Sequence, residues 1–248
     1  MKGKFGTHEQ YVDGGHLGAL VAAAHELKTP LALMYHLSNT LDTPEFELTD
    51  SERTECVQRL KLTSERMLRL VQHLTVSYRL DNQDQLAFQF ELEPLSINEV
   101  CENALHELTP YAKGYDQELR LSGQHCPHLV LADRDVLHDI VINLVDNAIR
   151  HNPAGSVVDV GSHCRRDQVR LSVHDNGPGV SQQELTSLRR TIGVQPQPLS
   201  GRAGSSGLGL YIVGQLAKSM GGNLGLGRAQ QGTTFFVDLL RSQQMSLL

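Results

Sequence analysis

The sequence predicts an α + (α+β) chain: a helical hairpin that forms a dimeric four-helix bundle, followed by an α/β sandwich with a mixed sheet. Three observations carry this expectation. Two apolar seams with a 4-3-4-3 alternation fill the N-terminal third; after about Leu86 the pattern changes to short alternating segments interleaved with helical ones; and glycine-rich stretches punctuate that second region.

At 248 residues, 40% of them hydrophobic, the chain can bury one large core or two smaller ones. A net charge of −6 disfavours nucleic acid and anionic membranes as partners. No apolar run approaches the roughly 20 residues that cross a bilayer, and no signal-peptide core follows Met1-Lys2-Gly3-Lys4, so a cytoplasmic chain is expected. Cys56, Cys101, Cys126 and Cys164 are widely spaced without a Cys-x-x-Cys pair and are expected to be reduced thiols.

The first region is expected to span residues 14–82. Leu20, Ala24, Leu27, Leu31, Met34, Ser38 and Leu41 form one seam, Asp42-Thr43-Pro44 interrupts it, and Thr49-Asp50-Ser51 with Glu52 offers N-caps for a second helix. There Val57, Leu60, Ser64, Met67, Val71, Leu74 and Tyr78 repeat the alternation. A homodimer would bury both seams; packing of the hairpin on the second region is the other way to cover them. Within the first helix, Ala24-His25-Glu26-Leu27-Lys28-Thr29-Pro30 sets an imidazole and a hydroxyl at i and i+4, with a carboxylate beside the imidazole. Pro30 lacks an N–H and its ring clashes with the Glu26 carbonyl, so a kink is expected there. His36, without a neighbouring carboxylate, reads as structural.

The second region is expected to span residues 86–242. Leu86 to Leu92 alternates like a strand, Ser96 to Ala112 reads as a helix capped by Ser96, and Leu119-Arg120-Leu121 and Leu129-Val130-Leu131 as short strands. A helix from about Asp133 to His151 ends at Asn152-Pro153-Ala154-Gly155. Val157–Ser162 with Val169–His174 reads as a hairpin, Ser206–Met220 as a helix, and Asn223–Gly227 with Thr233–Leu240 as a closing strand pair.

Four stretches of this region carry chemistry. Along Asn143 to His151 the apolar positions Ile140, Leu144 and Ala148 face inward, which leaves Asn143, Asn147, Arg150 and His151 together on the opposite side. Neutral amide oxygens suit Mg²⁺, and a guanidinium suits phosphate. Asp175-Asn176-Gly177-Pro178-Gly179 follows a strand; its glycines allow close approach to a ligand, and Asp175 can accept from an exocyclic amine. Gly204-Ser205-Ser206-Gly207-Leu208-Gly209-Leu210 opens a helix, where backbone N–H groups favour anions. Gly232-Thr233-Thr234-Phe235 enters the final strand.

In order and spacing these stretches resemble the sensor histidine kinases of two-component systems. His25-Glu26-Leu27-Lys28-Thr29-Pro30 is similar to the phosphoacceptor box of their dimerisation domain, Asn143–His151 to the N box, Asp175–Gly179 to the G1 box and Gly204–Leu210 to the G2 box of a Bergerat-type ATP-binding domain. The resemblance implies that His25 takes the γ-phosphoryl group of ATP, that Glu26 accepts its ring proton, and that Thr29 orients water in a phosphatase reaction. It implies Asn143 and Asn147 as Mg²⁺ ligands, Arg150 and His151 as phosphate and nucleoside contacts, and Asp175 as the adenine-reading carboxylate. Gly177, Gly179, Gly204, Gly207, Leu208, Gly209 and Thr233 complete the nucleotide cradle. The implied partners are a second copy of the chain and a response-regulator receiver domain. An asparagine at 143, where ATPases of this fold carry a water-activating glutamate, suits transfer to histidine over hydrolysis. A stand-alone hydrolase or serine kinase and a non-catalytic scaffold are the competing classes.

Two features depart from the family. Leu185-Thr186-Ser187-Leu188 offers no Phe where an aromatic F box is usual, and Gly193–Arg202 reads as a lid with Arg202 as a cation for the γ-phosphate. Only 24 residues precede His25, so either the chain is part of a larger receptor or another protein supplies its signal.

Overall fold

A computed structural model describes residues 14–43, 48–81, 90–122, 126–194, 207–227, 229 and 231–243. Helix α1 (Gly14–Asp42) runs through Pro30, which is buried, and α2 (Asp50–Asp81) returns alongside it. The start of α2 is fixed by a reciprocal cap: the Thr49 N–H donates to Glu52 Oε2 at 2.9 Å, and the Glu52 N–H donates to Thr49 Oγ1 at 3.3 Å. The bond from the Thr49 N–H, with one from the Thr49 hydroxyl at 2.8 Å, holds the exposed Glu52 carboxyl below the usual carboxylate range.

The rest forms a sandwich. Strands β2 (Glu118–Leu121), β4 (Val157–Cys164), β5 (Gln168–Asp175), β6 (Asn223–Gly227) and β7 (Thr233–Leu240) make a five-stranded sheet in the order β2-β4-β5-β7-β6. It is mixed, because β2 pairs parallel to β4 and every other pair is antiparallel. A separate antiparallel pair, β1 (Glu93–Leu95) with β3 (Val130–Ala132), closes one end. Helices α3 (Ile97–Gly114), α4 (Arg134–His151) and α6 (Leu208–Ser219) cover the sheet, and Leu137, Ile140, Leu144, Ile149, Leu171, Leu208, Ile212 and Leu239 are almost fully removed from water between the layers. The α4 start is capped by Asp133, whose carboxylate accepts from Asp135 and Val136 N–H at 3.1 Å each.

The hairpin meets the sandwich. Leu70 of α2 is 6% exposed and belongs to the same apolar cluster as the sandwich core, Leu27 of α1 packs against that cluster, and α6 is the helix they approach. The predicted seams are thus only partly covered within one chain: Leu27, Leu60 and Met67 are half-buried, whereas Leu31, Val57 and Val71 are 52%, 53% and 48% exposed. The inward face of α1 uses Pro30 and Leu37 instead.

Several expectations change. Ser96 occupies the N-cap of α3, but its side chain accepts no capping bond. Residues 82–89, and with them most of the strand expected at Leu86–Leu92, lie outside the described residues, and Phe90–Leu92 are not strand. The cysteines are not all reduced: Cys126 and Cys164 form a disulfide, with Cα atoms 5.1 Å apart, while Cys56 and Cys101 are free. Local spacing could not reveal the pair, since 38 residues separate its members. Parallel pairing makes it: the chain leaving β2 continues beside β4, where Ser122 N–H donates to the Val160 carbonyl at 2.7 Å and Cys126 N–H to Ser162 Oγ at 3.0 Å.

Burial pushes the Cys101 thiol up to about 12. Iodoacetamide at pH 8 should therefore modify the half-buried Cys56 first and reach Cys101 only as fast as the sandwich opens; mass spectrometry of timed samples showing equal rates would contradict this packing.

Candidate functional site

The site is built where β5 and β7 end and begin. Their register pairs Asp175 directly with Thr233, and both residues are 2% exposed. Asp175 Oδ1 accepts the Gly177 N–H at 3.1 Å, which folds the following turn back over the carboxylate. Among the described residues the buried Thr233 hydroxyl has no hydrogen-bond partner. A buried hydroxyl left unpaired costs on the order of 1–3 kcal/mol, so a polar group beside Asp175 is what this pocket lacks.

Backbone meets backbone at the pocket's rim. Gly179 (φ +71°) and Gly232 (φ +75°) adopt the left-handed region; a Cβ on Gly179 would lie 2.8 Å from the Gly232 carbonyl oxygen, and one on Gly232 would overlap the Asp175 carbonyl. Behind them, Asn176 Oδ1 accepts the Val157 N–H at 2.8 Å. Gly177 lies against the amide of Asn152, whose Nδ2 donates to the Ala148 carbonyl at 2.7 Å. Gln117 Nε2 donates to the Ile149 and Asn152 carbonyls at 2.9 and 2.8 Å and so finishes the end of α4. Asn152 and Gln117 are positioning residues that sequence reading passed over, because Asn152-Pro153-Ala154-Gly155 reads simply as a helix stop.

On α4, Asn143, Asn147, Arg150 and His151 are all half-buried, opposite the buried Ile140, Leu144 and Ala148. Asn143 Nδ2 donates to the Asp139 carbonyl at 2.8 Å; its Oδ1 lies 4.0 Å from where a Cβ on Gly209 would stand, so α4 and the start of α6 share one wall. That oxygen, with the Asn147 amide one turn on, is a neutral donor pair of the kind that suits a hard divalent cation held against phosphates. Arg150 Nη1 lies 3.9 Å from Asp146. Gly207, left-handed at φ 72°, opens α6, and the Leu208 side chain is fully buried, which leaves only its backbone to face a ligand. Arg202 and Gly204 lie outside the described residues.

His25, Glu26 and Thr29 lie on α1. Thr29 is exposed and lines a cleft of about 610 Å³ between hairpin and sandwich, whose other walls include Leu33, Arg59, Tyr111, Tyr115 and Arg150. One turn beyond His25 and the last turn of α4 therefore open on the same space.

Beside this site the sequence reading missed an element, as it missed β1. Helix α5 (Gln182–Thr191) occupies the place where no aromatic box was found, started by a reciprocal cap in which Ser181 N–H donates to Glu184 Oε2 at 3.0 Å and Glu184 N–H to Ser181 Oγ at 3.3 Å. Leu185 and Leu188 are its buried residues. Ser181-Gln182-Gln183-Glu184 was the available signal.

Comparison with known proteins agrees with this layout. Residues 19–83 match the His Kinase A (phospho-acceptor) domain, and residues 132–243 match the family described as histidine kinase-, DNA gyrase B- and HSP90-like ATPase. Sensor protein QseC of Salmonella typhi is 33% identical over 214 residues, 85% of this chain and 44% of that protein. Sensor protein kinase PmrB of Pseudomonas aeruginosa is 33% identical over 212 residues, 85% and 42% respectively. Full-length ShkA, solved in complex with AMPPNP, is 25% identical with a TM-score of 0.58 over 94% of this chain and 47% of that one. The chain spans less than half the length of the QseC and PmrB relatives.

A Cβ at Gly232 has nowhere to go and an unfavourable φ to adopt. Gly232→Ala should lower the unfolding free energy of the sandwich by about 2–3 kcal/mol in urea titrations; a loss under about 0.5 kcal/mol would mean that the rim is not packed backbone to backbone.

Proposed function

We propose, because this chain belongs to the sensor histidine kinases of two-component systems, that His25 accepts the γ-phosphoryl group of ATP and relays it to an aspartate of a response-regulator receiver domain. The observation that carries this reading is the cleft shared by Thr29, on the phosphoacceptor helix, and Arg150, on the helix of the nucleotide-type site.

Adenine enters beside Asp175, whose carboxylate accepts from the exocyclic amine, and the unpartnered Thr233 hydroxyl gains a ring nitrogen as partner. Arg150 and His151 face the sugar and phosphates, and backbone N–H groups from Gly207 to Gly209 meet phosphate oxygens at the helix start. Asn143 and Asn147 fit Mg²⁺, which when bound offsets phosphate charge. A neutral imidazole has one nitrogen lone pair and one N–H. The lone pair of His25 attacks phosphorus in line as the bond to the ADP oxygen breaks, and Glu26 takes the proton from the other nitrogen, so that no cationic imidazolium accumulates. Asn143 cannot deprotonate water, which keeps hydrolysis slow at the same site. Thr29, one turn from His25, orients water when the chain dephosphorylates its partner.

Two copies of the chain pair through the apolar faces that one copy leaves uncovered, with Leu31, Val57 and Val71 at the contact. Among the described residues no helix is long and apolar enough to cross a membrane. Use of ATP places the reaction inside the cell.

His25→Gln should abolish labelling by γ-phosphate-labelled ATP, with nucleotide binding unchanged, and the wild-type label should be lost in acid and kept in base; an acid-stable label, or labelling of the variant, would overturn the assignment. Thr233→Val separates recognition from stability. It removes an unpaired buried hydroxyl, so the free protein should be as stable as wild type or more stable by about 1 kcal/mol, while nucleotide affinity falls roughly tenfold in calorimetric titration. Unchanged affinity would remove Thr233 from the site.

A further inference from the structure

We propose that Cys164 and Cys126 form a reversible thiol–disulfide site that senses hydroperoxides, with Cys164 as the attacking thiol and Cys126 as its resolving partner. The two differ in access. Cys164 ends β4 at the exposed β4–β5 turn and is solvent-exposed, whereas Cys126 is 7% exposed. An oxidant reaches Cys164 first. The exposed Arg165 and Arg166 follow it in the turn, with Asp167 and His163 as the turn's other titratable groups, so the turn carries net positive charge, which favours a thiolate over a thiol.

The partner is held in place independently of the sulfur–sulfur bond. The Cys126 N–H donates to Ser162 Oγ at 3.0 Å, and Ser162 Oγ donates to Asn98 Oδ1 at 2.7 Å, so β4 and the first turn of α3 clamp the Cys126 backbone. With Cα atoms 5.1 Å apart, the bond can open and close without backbone movement. The chemistry balances. The Cys164 thiolate attacks the hydroperoxide, an S–O bond forms as the O–O bond breaks, and water or an alcohol leaves with the thiol's proton. The Cys126 thiol then attacks that sulfur, S–S forms as S–O breaks, and a second water leaves; two thiols are oxidised by two electrons and one peroxide is reduced.

Reversibility rests on the reading above, since a chain that uses ATP works where thiols are kept reduced and disulfides that occur there are usually redox-sensing. The site lies at the end of the sheet opposite Asp175, a β5 length of eight residues away. Closing it should therefore leave nucleotide binding alone and act on the stability of the sandwich.

The test uses the full chain and does not read kinase activity, so that failure of the redox site and failure of the kinase assignment are distinguishable. Free thiols are counted by mass after alkylation across mixtures of reduced and oxidised glutathione. Cys126 and Cys164 should pass together from thiols to disulfide within the series, with Cys56 and Cys101 unchanged. The oxidised protein should melt about 10 °C above the reduced one, and nucleotide affinity should agree within twofold between them. Cys126→Ser treated with hydrogen peroxide should carry a dimedone-trapped sulfenic acid on Cys164, and Cys164→Ser should carry none on Cys126. A bond that stays closed through the most reducing mixture, thiols that never pair, or dimedone trapped on Cys126 in place of Cys164 would each overturn the proposal.

Discussion

The register between β5 and β7 is the constraint on which the site depends. Side chains alternate across a sheet, so a slip by one residue would send Asp175 and Thr233 to opposite faces and dissolve the pocket. The register is held at both ends. Toward one end, Arg170 makes a two-pronged bond to its cross-strand partner Asp238, Nε to Oδ1 at 2.7 Å and Nη2 to Oδ2 at 2.6 Å, with its guanidinium 3.3 Å above the Phe236 ring. The pair is only 19% and 11% exposed, so a misregistered arrangement would strand charges with little water. At the other end the rim closes through Gly179 and Gly232, which tolerate no side chain.

The helices inherit their positions from this sheet. Asn152, bonded to the Ala148 carbonyl, packs its amide against Gly177, so the turn that carries Asp175 lies directly on the end of the helix that carries Asn143 and Arg150. Contact between Asn143 and the glycine-opened start of α6 then sets the second wall. Neither wall would stand alone, because each presents polar groups to a cavity and buries its apolar face in the shared core.

The sequence was most legible where function and local pattern coincide. The α4 periodicity placed Ile140, Leu144 and Ala148 inward and the four polar residues outward, as the structure has them, since a 3.6-residue repeat needs no knowledge of the partner layer. The Asp175 turn and the closing strand pair were equally readable from glycine placement and alternation. What escaped was non-local or left little periodic signal. The Cys126–Cys164 bond exists because a parallel strand pair joins segments 38 residues apart, and parallel register leaves no mark on spacing. Helix α5 is short, and with only Leu185 and Leu188 as its buried residues it leaves little periodic signal beyond its capping box. In the hairpin, a 3.5-residue seam told that helices pack but not on what: Leu27 turns to the sandwich, Leu31 and Val57 turn outward, and on α2 the buried residue is Leu70, next to the seam's exposed Val71.

That division of the hairpin's apolar residues bears on how the two halves can move. Leu70 and Leu27 join the sandwich's apolar cluster near α6, while Thr29, Leu33 and Arg59 face Tyr111, Tyr115 and Arg150 across an open cleft. The proposed phosphoryl transfer would draw on movement between the halves, because a nucleotide held against α4 would have to approach a histidine on α1 and later leave it clear. Leu27 lies two residues from His25, so any change in how α1 packs on the sandwich is felt at once beside that imidazole.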